Sequence, residues 1–381
     1  MENRSIRCEV EENMKNNMKI STMVFVAELE GDVNTYSSFA FLPITVIDIK
    51  PTTKKTKKIK IPHCDKVGAI LSMCMKGQVR GILKSLDSKG FKNSVSIDIS
   101  TSRKNLNIKL SKNSMHITGA LSEDDAQEGC ALLIKNILYT RDLVNKMRNN
   151  LEEVETICNW FVENSRGTQF EKEEIIEQEN ACYHIRSTDW NIKYPDADKY
   201  CSFVENHDND IVLFFVRTLV EAVMEGLNLS HFERMLGHIK NIMKIPESDY
   251  EGPIISSDNL RVSSMKCSMI KYDYKLPYDV DVQKLCVAIN GYNGFIARHN
   301  NQVRLSARII LPYDPEGIEN IHVKKNQNAK HTFIVNGCGS VSQHSPCHSL
   351  GCDAYKMFME ALLDLKEFIE SPEDDDITSQ S

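Results

Sequence analysis

The sequence predicts an α+β fold made of two copies of one strand-and-helix unit, with a helical insert between them. Three observations point there. Period-two strand patterns gather in two separate stretches, near 93–118 and near 264–336. Each stretch leads into a long amphipathic helix. The residues between them, about 146–264, carry helical spacing and a run of acids instead.

Taken in order, residues 1–17 are polar and Lys19–Leu29 has strand composition. Phe41–Lys50 (FLPITVIDIK) alternates and predicts a second strand. Lys50–Lys60 holds six lysines and no acid, which predicts an exposed loop. Asp65–Met75 and Gln78–Leu86 are expected to be helices broken at Gly77. Val95, Ile97 and Ile99 alternate with Ser94, Ser96 and Asp98, and Leu106–Leu110 and Met115–Thr118 complete a three-strand meander. Gly119 ends it. Ser122 then caps a helix whose first turn holds Glu123, Asp124 and Asp125, favoured by the helix dipole. Ala126, Cys130, Leu133, Ile134, Ile137 and Leu138 form its apolar face.

The middle stretch Asn149–Asn180 has nine glutamates against Arg166 and Lys172. Helices are expected at Thr140–Glu163, Ile211–Glu225 and Ser230–Met243, with Trp160 and Trp190 packing inside. Beyond it come a strand at Ser264–Lys275, a helix over Val280–His299 interrupted at Gly291, and strands at Gln302–Leu311, Asn320–Lys325 and Lys330–Asn336. A last helix, Asp353–Ile369, has Tyr355, Phe358, Leu362, Leu365 and Ile369 on one face. The tail SPEDDDITSQS is acidic and is expected to be disordered. The expected divisions are a 1–39 extension, a first repeat at 40–145, the 146–264 insert, a second repeat at 265–370 and the 371–381 tail.

Composition narrows the function classes. The 381 residues carry 46 basic and 53 acidic side chains, a formal net charge of −7, so a chain-wide basic surface is absent while a local one is allowed. The longest purely apolar run, Ile211–Val216, is far short of the ~20 residues that span a bilayer, so no membrane partner is expected. The first residues have no apolar core of a secretory signal. Twelve scattered cysteines are then expected to be reduced thiols in an intracellular setting. No phosphate-binding glycine loop, nucleophile elbow or zinc-protease motif occurs, so neither an enzyme nor a cofactor is expected. Cys182 beside His184 is the nearest thing to a catalytic pair, and residues so close in sequence are more often structural.

The two stretches resemble each other. Thr45–Lys50 (TVIDIK) is matched by Ile270–Lys275 (IKYDYK). Ser122 follows Asp48 by 74 residues and Ser349, a second candidate cap, follows Asp273 by 76.

Within the first stretch, Asn107–Glu128 (NIKLSKNSMHITGALSEDDAQE) resembles the TATA-box-binding protein family: a strand, a tight turn, a strand ending Thr118-Gly119-Ala120, then Ser122, Glu123 and Asp125 opening the long helix. The resemblance implies a curved antiparallel saddle of two pseudo-symmetric halves with helices on the convex side. The function it implies is that of a general transcription factor on AT-rich promoter DNA, entered from the minor groove, with initiation factors and RNA polymerase as partners. The alternative is a protein-interaction module of the same fold without DNA contact. The Asn, Ile and Lys usage points to an AT-rich genome, such as that of a large DNA virus, and so to a nucleus or a cytoplasmic viral factory.

The departures from the family are informative. Its wedge positions fall on Leu110, on Asn93–Ser94, near Val303, and on Val323 or Val335 with Phe333 nearby. A wedge must be large and apolar to unstack bases. The family's strand asparagines fall on Asp48 and Asp273, and an ionised carboxylate offers no donor to a base. The DNA-contact set implied is Lys109, Leu110, Thr118, Arg304, Arg308, Lys324 and Lys325. A metal site at Cys338, His344, Cys347, His348 and Cys352 has suitable ligand types but no standard spacing, and a polar loop is the expectation there. The lysine run Lys50–Lys60 is expected to be solvated.

Overall fold

A computed structural model describes residues 18–45, 61, 63–82, 93–164, 169–172, 185–187, 190–193, 197–224, 236, 237, 239, 256–299, 306–313 and 329–370. The chain forms two compact units. The middle unit comprises Ala27–Ile117 and Asp124–Ser264; the terminal unit comprises Met1–Val26, Thr118–Glu123 and Met265–Ser381. Both consist of antiparallel strands with helices, so the protein is α+β. No helix among the described residues is long and apolar enough to cross a membrane.

In chain order, β1 (Lys19–Glu30) is followed by α1 (Thr35–Phe41), β2 (Ile70–Met75), β3 (Gln78–Gly81), β4 (Val95–Ser100), β5 (Asn105–Leu110), β6 (Ser114–Ala120) and α2 (Glu123–Asn149). Next come α3 (Leu151–Asn164), β7 (Gln169–Lys172), β8 (Ile185–Ser187), β9 (Trp190–Lys193), α4 (Ala197–Glu205) and α5 (Asn209–Met224). The chain continues with β10 (Arg261–Lys275), α6 (Val282–Ile289), β11 (Ile296–His299), β12 (Ser306–Pro312), β13 (Lys330–Asn336), β14 (Ser340–Ser345), α7 (His348–Asp364) and α8 (Lys366–Ile369).

In the middle unit the strands lie in the order β6-β5-β4-β2-β3. Val95, Ile97, Ile99, Leu106, Ile108 and Leu110 are all fully buried, as are Ala126, Cys130, Leu133 and Ile137 of α2. The expected meander and the expected helix face are therefore both present. The two helices expected at 65–86 are instead the β2–β3 hairpin. Its two-residue loop places Lys76 at φ 49° and Gly77 at φ 81°, the left-handed pair that closes a hairpin. Ile70–Met75 is buried along nearly its whole length, and Leu71, Met73 and Met75 alternate only with the small Ser72 and Cys74, a weak strand signal. The expected strand at 41–50 is also corrected: Phe41 ends α1, Leu42–Thr45 carry no strand, and the rest lies outside the described residues.

The segment expected to be all helical contains a three-stranded sheet, in the order β7-β9-β8. The continuous helix expected at 140–163 is split at Asn150 between α2 and α3. Trp160 stacks on Phe203 at 4.1 Å, as an insert core residue should. The segment is tied to its own unit: Arg80 on β3 grips Glu221 on α5 with two bonds of 2.7 and 2.6 Å, and Arg80 also donates to the carbonyls of Phe39 and Ala40. The side chains of Arg80 and Glu221 are only 13% and 3% exposed. The helix expected at 230–243 lies mostly outside the described residues.

In the terminal unit the order is β11-β12-β13-β14-β10-β1. One side of this sheet holds Tyr272, Tyr274, Ala307, Ile309, Leu311, Phe333, Val335 and Val341, packed with Leu285 and Ile289 of α6 and Tyr355, Phe358 and Leu362 of α7. Phe333 stacks on Phe358 at 4.2 Å, and Phe295 meets both edge-on. Each such ring contributes about 1.5–3 kcal/mol by burial. Gln343 is buried in this core because it is fully satisfied: it donates to Gly351 O at 2.6 Å and accepts from Tyr274.

The long helix expected at 280–299 is shorter. The Asp281 side chain accepts from the backbone N–H groups of Gln283 and Lys284 to start α6, and Gly291 at φ 85° ends it. Residues 296–299 then form β11. The expected loop at 337–352 instead holds β14, reached through a hairpin with Gly339 at φ 74°. The last helix begins at His348, with Cys347 rather than Ser349 as its cap.

Candidate functional site: the open face of the terminal sheet

Alternation along each strand decides what faces away from the α6–α7 core. On β10 these are Lys271, Asp273 and Lys275; on β12, Ser306, Arg308 and Ile310; on β13, Lys330, Thr332, Ile334 and Asn336; on β14, Ser340, Ser342 and His344. Directly opposed residues on antiparallel strands share a face with Cβ atoms ~4.5–5.5 Å apart, so the register builds rows across this open face. One row runs Ile296, Ile310, Thr332, His344, Lys271; the next runs Arg298, Arg308, Ile334, Ser342, Asp273.

The charge on this face is lopsided. Arg298, Arg308, Lys275 and Lys330 are exposed and Lys271 is half-buried. Asp273 is the acid on the same rows, and it is matched locally: Lys271 Nζ donates to it at 2.8 Å and Ser342 Oγ at 2.5 Å. Burial raises the Asp273 pKa, but hydrogen bonds from Lys271, Ser342 and Ser21 outweigh that and hold the carboxyl below its ordinary value. It stays ionised and paired. At the other end, Arg298 stands directly opposite Arg308. Like charges so placed repel, and among the described residues no acid pairs with either. A polyanion laid across β11 and β12 would relieve that repulsion.

Several expected site residues are not on this face. Leu110, Phe333 and Val335 are 0% exposed and point into the cores, so none of them can act as a wedge. The alternation explains why: Leu110 shares parity with Leu106 and Ile108. Of the other wedge positions, Asn93 is exposed and Ser94 is buried, and neither is apolar. Lys109 is half-buried on β5 of the middle unit, opposite Ser96; Thr118 is half-buried on β6. Arg308 is placed as expected, exposed on the open face. Asp48, the Lys50–Lys60 run, Cys182, His184, Val303, Arg304, Val323, Lys324 and Lys325 lie outside the described residues.

The five candidate metal ligands are dispersed by β14 and α7. Cys338 is exposed at the β13–β14 turn and bonds Ser340, and His344 is on the open face. His348 and Cys352 sit one turn apart on α7, Sγ to Nε2 3.6 Å, with His348 Nδ1 3.1 Å from the Tyr272 hydroxyl. Among the described residues, no three His, Cys, Asp or Glu side chains come together as a metal cage.

Arg298, Lys271, Lys275, Lys330 and Ile296 were not legible as site residues. Arg298 and Ile296 fall in the stretch whose pattern predicts helix. The lysines of β10 carry the right signal, alternation of charge against Tyr272 and Tyr274, but only the register shows that they share rows with the arginines.

Among solved structures, the TBP of Methanococcus jannaschii is similar to this chain, covering 92% of it and 98% of its own length, at 7% identity and a TM-score of 0.32. No family model matches the chain, and no curated protein does. At 7% identity no residue role passes from that protein to this one.

Proposed function

We propose that the chain is a TBP-like transcription factor that lays duplex DNA against the open face of its terminal sheet. The observation that carries this is the row pairing Arg298 with Arg308, on a face where Lys275 and Lys330 add positive charge and Lys271 already neutralises Asp273. Such a face offers several phosphate contacts on a chain whose net charge is −7, so the attraction is local and salt-sensitive. A duplex suits it better than a single strand. Single strands are held by aromatic stacking platforms, and the described aromatic side chains of these strands, Tyr272, Tyr274 and Phe333, are all buried in the core. Ile296, 43% exposed on β11, takes the wedge role that Leu110, Phe333 and Val335 cannot. Helices α6 and α7, on the other side of the sheet, are the surfaces for initiation factors and polymerase.

A second reading, a protein-interaction module, is favoured by Asp273, which gives the β10 side of the face mixed charge. A salt titration of binding to AT-rich and GC-rich duplexes separates the two. Steep weakening with salt, with a slope near −0.9 per phosphate contact, supports the first. Absence of binding to either duplex at ~50 mM salt, a permissive condition for phosphate contacts, supports the second.

A further inference from the structure

His344 stands in the middle of the open face, on β14, opposite Thr332 on one side and Lys271 on the other. Its Nε2 atom is buried, and among the described residues it has no hydrogen-bond partner. The charged groups around the ring are Lys271 and Asp273 on β10 and Arg308 on β12, with Arg298 opposite Arg308 on β11. Positive groups outnumber the single acid, which is itself engaged by Lys271 and Ser342. An anion is therefore the partner that this position accepts.

We propose that His344 is the proton-linked group of this face: a phosphate of the bound duplex over β14 stabilises the charged imidazolium, and binding draws a proton onto the ring. The inference rests on the duplex-binding reading above and adds to it a named residue and a pH dependence. In the free protein, burial first, then Lys271 and Arg308, hold the ring's pKa below its ordinary value against the opposing pull of Asp273. The ring is then neutral at pH 7. A phosphate beside it removes much of the cationic repulsion and favours the charged form. The folded, bound state thus has the higher pKa. Affinity must rise as pH falls through the bound-state value and level off below the free-state value.

The test is fluorescence anisotropy with a labelled duplex at constant ionic strength from pH 7.5 to 5.5, on the full chain and on His344→Gln, which keeps a donor but cannot take up a proton. An opposite charge within ~4–6 Å shifts a pKa by about 1–3 units, so the unsubstituted chain should tighten about tenfold or more while His344→Gln stays nearly flat. Thermal melts confirm that the variant is folded. In parallel, NMR titration of the His344 ring should show its pKa rise when duplex is added. Equal pH slopes in the two proteins, with duplex bound by both, overturn the inference and leave the duplex reading standing. No binding by the unsubstituted chain at any pH overturns both.

Discussion

The two units run through similar element orders, a short helix, an antiparallel meander and a long helix, yet the sheet faces opposite their cores differ in kind. In the middle unit that face of β2, β4 and β5 carries Ser72, Cys74, Ser96, Asp98, Asn107 and Lys109, none of them exposed. Ser72 donates to Ile82 O at 2.8 Å, and Asn107 donates to Asp98 at 3.1 Å and to Ser96 at 3.0 Å. In the terminal unit the same kind of face shows Ile296, Arg298, Arg308, Lys275 and Lys330 to solvent. The middle face spends its polar groups on one another; the terminal face leaves its cations for something else. The consequence is separable. Substitutions on the middle face should cost stability, and those on the terminal face should cost binding.

The largest effect expected lies in the middle unit. Arg80→Leu leaves the Glu221 carboxylate buried without its bidentate partner, which costs about 3–5 kcal/mol. Urea unfolding should show it directly, and a loss under 1 kcal/mol would mean that the clamp does not hold α5 to its unit. Next is a pH effect in the terminal unit. His331 is 3% exposed on the core side of β13, and burial lowers its pKa from 6.5 to about 4, against a weak opposing pull from Asp353. The unfolded chain then binds a proton that the folded one refuses between those values. Stability is full above about pH 6.5 and is lost as pH falls towards 4, by about 3 kcal/mol in all. The difference in melting between the unsubstituted chain and His331→Gln, followed across that window, isolates this contribution. The third effect is smaller: Asn107→Leu removes the bonds to Asp98 and Ser96 and should destabilise by about 1.5–3 kcal/mol, the scale for hydrogen bonds to a charged group, without weakening duplex binding.

What was legible followed physical signals with a clear period. The β4–β6 meander alternates and is punctuated by turns, and α7 keeps its apolar face at Tyr355, Phe358 and Leu362, so both were readable. The β2–β3 hairpin was not, because a strand buried on both sides alternates only weakly, Leu71 and Met73 against the small Ser72 and Cys74, and Gly77 serves a hairpin turn as readily as it breaks a helix. Strand β11 is four residues long, too short for any period to declare itself. The candidate site was half legible. Charge alternation on β10 and at Arg308 could be seen in the sequence, but rows across a sheet depend on register, which no single strand contains. The choice of Leu110 as a wedge shows a resemblance overriding local physics: its parity with Leu106 and Ile108 already placed it in the core.

The most direct test of the difference between the two faces is a single substitution, Arg298→Glu, measured for both stability and duplex affinity. It replaces a repelling cross-strand pair by an attracting one, so the fold should gain about 0.2–1 kcal/mol. It also removes one phosphate contact and sets an acid where the backbone would lie, so affinity should fall about tenfold or more at low salt. A protein that melts higher and binds worse is the predicted result. Unchanged affinity, with Arg298→Glu folded, would contradict the assignment of this face to DNA.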